Sequence, residues 1–78
     1  MDLVEVTAHF DSEGNISPLE FTWKGQLYRV ESTGRQGKDE DGRHILVMVP
    51  GGRVFELNFN PNSGQWQLRS ISPGRSVA

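Results

Sequence analysis

The placement of glycine and proline constrains this chain more than any other feature of its sequence. Nine glycines and four prolines fall almost wholly between short apolar runs, where turns need a positive φ or a missing N–H. No stretch between them repeats apolar residues at i, i+3, i+4 and i+7 over ten or more positions, so no helix of ordinary length is expected. Six candidate strands remain.

The first lies near Leu3–Phe10, with Val4, Val6, Ala8 and Phe10 on one face and Glu5, Thr7 and His9 on the other. Asp11-Ser12-Glu13-Gly14-Asn15 reads as the turn that closes it. The second and third, Leu19–Trp23 and Gln26–Thr33, flank Lys24-Gly25. A two-residue turn there sets Trp23 against Gln26, Phe21 against Tyr28 and Leu19 against Val30, and pairs Glu20 with Arg29 on the opposite face. Apolar meets apolar and acid meets base, an agreement the turn itself does not impose.

The fourth and fifth strands flank Gly51-Gly52. The same counting opposes Met48 to Phe55, Leu46 to Leu57 and His44 to Phe59 on the expected core face. It leaves Ile45, Val47, Val49 and Val54 on the far face, too apolar for bare solvent and expected to meet another layer, a second copy or a protein partner. Asn60-Pro61-Asn62-Ser63-Gly64 is a longer hairpin loop before the sixth strand, Gln65–Ile71, with Trp66 and Leu68 inward. Gly34–Arg43 is polar throughout and reads as a mobile loop. The architecture expected is all-β: a six-stranded antiparallel meander forming a small barrel or a two-layer sandwich. It would occupy residues 1–72 as a single domain, with 73–78 as a disordered tail.

A chain of 78 residues has room for one domain, and at this size folding buries only roughly 60% of the unfolded surface. The usual reinforcement by disulfides is ruled out, because cysteine is absent. A net charge of −2 gives no strong field toward nucleic acid or lipid. No apolar run is long enough to span a membrane. The acidic start, Met1-Asp2-Leu3-Val4-Glu5, is unlike a signal peptide, so a cytoplasmic protein is expected.

Candidate chemistry is thin. His9 and His44 lack ligand spacing and read as strand residues at a sheet face or edge. Lys38-Asp39-Glu40-Asp41-Gly42 resembles the start of a calcium loop but lacks its late glutamate, so a solvated loop is expected. No serine sits in a nucleophile elbow. Neither cofactor, metal nor catalytic residues are expected. Trp23, Tyr28, Phe55, Phe59 and Trp66 are the right residue types for a stacking platform, but they alternate in phase with Leu19, Val30, Leu57 and Leu68 and read mainly as core.

Phe21-x-Trp23-x-Gly25-x-x-Tyr28-x-Val30 follows Gly14-Asn15-Ile16-Ser17-Pro18, and Ser63-Gly64-Gln65-Trp66-Gln67-Leu68 comes later. This resembles a family of short bacterial domains of unknown function, which combine an F-x-W-x-G-x-x-Y-x-V hairpin with a later G-x-W-x-L strand. The resemblance runs from about Val4 to Ile71. Relatives often carry a tryptophan soon after the third strand, where this chain has Arg35-Gln36-Gly37. Some relatives occur in the setting of translesion DNA polymerase proteins, which implies an accessory nucleic-acid role linked to DNA repair as one reading. The candidate contacts for it are Arg35, Lys38 and Arg43. The favoured reading is a non-enzymatic protein-binding or assembly module, contacting a partner or a second copy through an exposed sheet edge or the Ile45, Val47, Val49 and Val54 face.

Overall fold

The structure, a computed structural model, describes residues 2–40 and 42–71. The tail expected at 73–78 lies outside them. Seven strands and no helix are present among the described residues: β1 (Asp2–Phe10), β2 (Ile16–Trp23), β3 (Gln26–Arg29), β4 (Ser32–Asp39), β5 (Gly42–Val49), β6 (Arg53–Asn60) and β7 (Gln65–Ile71). They form one antiparallel sheet in the order β3-β2-β1-β7-β6-β5-β4.

That order forces the sheet to curl. Its two edge strands, β3 and β4, are consecutive in the chain and separated only by Val30 and Glu31. In a flat sheet, six strand spacings would hold those edges about 29 Å apart. Two linking residues reach no further than about 11 Å between the strand ends. The sheet therefore closes on itself as a half-barrel. Two backbone bonds fix the corner: Val30 N donates to Leu19 O at 2.9 Å, and Glu31 N donates to Met48 O at 2.7 Å. β1 serves both halves, pairing through Asp2–Val4 with β7 and through residues 5–10 with β2.

The first hairpin has the register the sequence requires. Glu20 opposes Arg29, Phe21 opposes Tyr28 and Trp23 opposes Gln26. Lys24 and Gly25 take φ values of 52° and 75°, the left-handed pair of a turn whose twist matches the strands. Leu19 departs from expectation. Thr7 opposes Glu20 while Ala8 opposes Pro18, so Leu19 is the extra residue of a β-bulge. The bulge resets the alternation: Ile16, Pro18 and Phe21 are buried and Leu19 is exposed.

The second hairpin corrects a larger expectation. Met48 opposes Val54, Val47 opposes Phe55 and Ile45 opposes Leu57, one residue away from the register counted around Gly51-Gly52. Pro50 and Gly51 are the central residues of the turn, closed by Gly52 N donating to Val49 O at 3.2 Å. Gly51 takes φ 97°, the left-handed third position that follows a proline in a type II turn. Gly52, at φ 81°, adds a third loop residue. An odd loop reverses the phase of one strand against the other. Ile45, Val47 and Val49 therefore belong to the core, at 0–1% exposure, and Met48 is 40% exposed. The face expected to meet a partner is the inside of the barrel, with only Val54 of that set on the outer side, opposite Met48. Around it are Ile16, Phe21, Phe55, Leu57, Trp66 and Leu68, with Val4, Val6, Ala8, Trp23, Tyr28, Val30 and Phe59 packed against them.

The segment Gly34–Arg43 is likewise not a loop. It supplies most of β4 and the start of β5, paired as Gln36–Ile45, Gly37–His44, Lys38–Arg43 and Asp39–Gly42. Main-chain hydrogen bonding rather than side-chain burial decides this, since every β4 residue is exposed. The backbone of Gly34–Asp39 would otherwise face β5 unpaired at a barrel edge. This is the seventh strand, absent from a reading based on apolar content.

Candidate functional site

One end of the half-barrel gapes. β3 and the Val30 bond to Leu19 cover only the second half of β2, so β2 from Ile16 to Pro18 has a partner on one side only, and β4 has β5 on one side only. Pro18 fits that free edge because it has no N–H to leave unpaired. Gln36 reaches across the cleft between the two edges, its Nε2 donating to Ile16 O at 3.4 Å. On β4, Asp39 and Gly42 flank a two-residue connection and so exchange both main-chain bonds. Alternation then makes Gly37–His44 the next bonded pair and turns the main-chain groups of Gln36 and Lys38 outward.

The cleft opens at its lower end into a groove of about 360 Å³. Its apolar wall is Phe10, Ile16 and Phe59. Phe10 is half exposed, at 51%, and meets Phe59 edge-on at 5.5 Å between centroids; Phe59 in turn rests on Trp66 at 4.9 Å. The turn after β1 forms the upper rim. Asp11 builds it by accepting hydrogen bonds from the backbone N–H groups of Glu13 and Asn15, both at 2.9 Å, and from Asn15 Nδ2 at 3.0 Å. Arg43 ties this turn to β5, donating from Nη2 to Gly14 O at 2.7 Å.

These bonds to the ionised carboxylate, the Asn15 side chain foremost, hold Asp11 below its ordinary pKa of 3.8. A depressed folded pKa means stability that is present above the unfolded value and lost as pH falls through the folded one. Acid should therefore loosen the rim. NMR titration should show the Asp11 carboxyl midpoint below 3.8, with the Glu13 and Asn15 amides reporting the same midpoint. A midpoint at or above the ordinary value would mean that the turn does not depend on the carboxylate.

The structure brings together two of the three basic residues singled out from the sequence. Lys38 and Arg43 are direct cross-strand neighbours and line the groove, together with Asp39 and Glu40. Arg35 is elsewhere, on the outer side near Gly37, His44, Leu46 and Glu56. Like charges directly opposite one another repel, and among the described residues neither Lys38 nor Arg43 is in an ion pair. Phe10, Gly14 and Ile16 escaped the sequence reading because only the curl of the sheet carries them to β4. The signal that was present is the Asp41-Gly42 dipeptide, a hairpin cue.

Two other clusters have structural uses. On the outer face, His44 lies between carboxylates, with Nε2 at 2.7 Å from Asp39 Oδ2 and Nδ1 at 3.1 Å from Glu56 Oε2. Glu56 Oε1 also accepts from Arg69 Nε at 3.2 Å and Nη2 at 2.8 Å. This network straps β4, β5, β6 and β7 together; Nε2 is hydrogen-bonded to Asp39, whereas Nδ1 lies close to Glu56 without a hydrogen bond. At the barrel end away from the groove, Phe21, Trp23, Tyr28 and Phe55 pack with centroids 5.2–6.2 Å apart. Their cations come from the chain itself: Arg53 lies 4.9 Å from Phe55, and Lys24 lies 4.8 Å from Trp23. Rings in mutual contact leave no slot for a base between them. Among the described residues no group of three or more His, Asp or Glu side chains is arranged to hold a metal ion, and no helix is long and apolar enough to cross a membrane.

Comparison with family models, with curated proteins and with solved structures finds no match to this chain.

Proposed function

We propose that this chain is a non-enzymatic protein-binding module that takes an extended segment of a partner along the free edge of β4. The supporting observation is that edge itself. An eight-residue strand is exposed along its whole length, turns the main-chain groups of Gln36 and Lys38 outward, and leads into a groove with an apolar wall. Strand addition of this kind draws affinity from main-chain hydrogen bonds and selectivity from side-chain pockets beside the edge. The bulge at Gly34–Arg35 and the charges of Arg35, Lys38 and Asp39 guard the edge against indiscriminate pairing. A cytoplasmic setting belongs to the same proposal, and the absence of cysteine is compatible with it.

A second reading, an accessory nucleic-acid contact linked to DNA repair, has one observation in its favour: half-exposed Phe10 lines the same groove as Lys38 and Arg43. Against it, Asp39 and Glu40 line that groove too and the whole chain carries −2, which opposes the phosphate attraction that dominates such binding.

Peptides selected from a displayed random library, and an oligothymidylate, should be titrated separately into the labelled protein. Selected peptides should shift the Gln36 and Lys38 amides and slow their exchange with solvent. Peptides that leave β4 unmoved, together with an oligothymidylate bound at Lys38 and Arg43 with a steep salt dependence, would replace this reading with the second.

A further inference from the structure

We infer that the partner segment is acidic, carrying a bulky apolar side chain and, two residues along on the same face, a carboxylate that bridges Lys38 and Arg43. The inference rests on the reading of β4 as an accepting edge and adds the chemistry of what it accepts. Lys38 and Arg43 face each other across the β4–β5 ladder with no carboxylate between them among the described residues. Repulsion between directly opposed cations is relieved when an anion sits against both. Arg43 is already positioned, because its Nη2 bond to Gly14 O holds the guanidinium at the groove while other N–H donors remain to it. Asp39 lines the groove but its Oδ2 is engaged by His44.

The apolar requirement comes from the adjoining wall. Phe10 remains 51% exposed although it meets Phe59 edge-on, and Ile16 and Phe59 continue the surface. A side chain laid there reaches the wall while the residue two positions along, on the same face of the added strand, lies near the cations, since Lys38, Arg43 and Phe59 are in one register row. A second copy of this chain is a poor occupant: its own β4 brings the same cations, and its Asp39 is committed to His44. Glu40 at the hairpin tip disfavours a second acid further along, which places the carboxylate at Arg43 rather than beyond it.

The test uses three blocked hexapeptides of alternating threonine and valine, identical except at one site. Each carries one phenylalanine and, two positions later on the same strand face, aspartate, asparagine or lysine. Affinity is read by anisotropy and location by amide shifts. The aspartate peptide should bind about tenfold tighter than the asparagine peptide, and more weakly still should come the lysine peptide. Shifts should appear both at Gln36 and Lys38 and at Phe10 and Phe59. Arg43→Gln and the exposed Lys38→Gln, each of which removes one positive charge, should each erase most of the preference. Equal binding of all three peptides along β4 would overturn the charge inference and leave the edge reading standing. No binding of any peptide, at concentrations where library-selected peptides do bind β4, would overturn the inference alone. No peptide of either kind at β4 would remove the edge reading as well.

Discussion

Gly42→Ala should unfold the domain. Gly42 opens β5 with φ 129°, and its Cα lies directly against the backbone of β6. A Cβ there would overlap the carbonyl oxygen of Phe59, at 3.0 Å from the carbonyl carbon and 3.2 Å from Asn60 Cα. None of these atoms is the end of a flexible side chain. The strands would have to separate where Arg43 pairs with Phe59, under the groove. Backbone strain of this φ combined with a main-chain clash belongs to the rare substitutions that cost more than about 4 kcal/mol. A small domain without disulfides has on the order of 5 kcal/mol in all. Circular dichroism and tryptophan fluorescence should show a largely unfolded chain at 25 °C. Gly37→Ala is the control: it lies in the adjacent strand at an ordinary φ, with nothing within 4 Å of a new Cβ, and should change stability by less than about 0.5 kcal/mol. A folded Gly42→Ala variant with an unchanged midpoint would mean that β5 and β6 do not approach as closely as described.

The same closeness explains which parts of this fold were legible in advance. Lys24-Gly25 could be read because a two-residue loop has one parity, and its cross-strand partners checked it on both faces. Pro50-Gly51-Gly52 offered two turns of different parity. The apolar content of β5 did not choose between them, since Leu46 and Met48 are as hydrophobic as Ile45 and Val47. The choice is made by Pro50, whose fixed φ suits the second position of the turn. β6 was phased correctly, with Phe55 and Leu57 inside, while β5 was inverted against it. β4 was hidden for another reason. Its stability comes from main-chain pairing and from the His44–Asp39 strap rather than from buried side chains, so periodicity carries no trace of it. The groove depends on both corrections at once. Lys38 and Arg43 become neighbours only when Gly34–Arg43 is a hairpin, and Phe10 reaches them only when the sheet curls.

Val47→Asp and Met48→Asp, adjacent in the chain, should have opposite outcomes. Val47 is 1% exposed, with Phe55 opposite it, and Met48 is 40% exposed beside Val54 and Ser32. A carboxylate at Val47 has no cation within the barrel's apolar core, and an isolated buried charge is not tolerated in its ionised form. The variant should lose several kcal/mol at neutral pH and fail to fold. Burial raises the folded pKa of such an aspartate above its unfolded value of about 3.9. Its penalty is therefore smallest below that value and grows as pH rises toward the folded pKa. The Val47→Asp chain should recover structure near pH 4 and lose it by pH 7, about 1.4 kcal/mol for each unit between the two pKa values. Met48→Asp, open to water on the outer face, should remain folded at both pH values. Denaturation of the two variants at pH 4 and pH 7 separates the registers directly. With Met48 inside, as counting around Gly51-Gly52 requires, the sensitivities would exchange: Met48→Asp would unfold with rising pH and Val47→Asp would not. The β4 edge depends on the same phase. Ser32 and Thr33 pair with Met48 and Val47, so a one-residue inversion of β5 would turn Lys38 and Arg43 away from Phe59 and dissolve the groove.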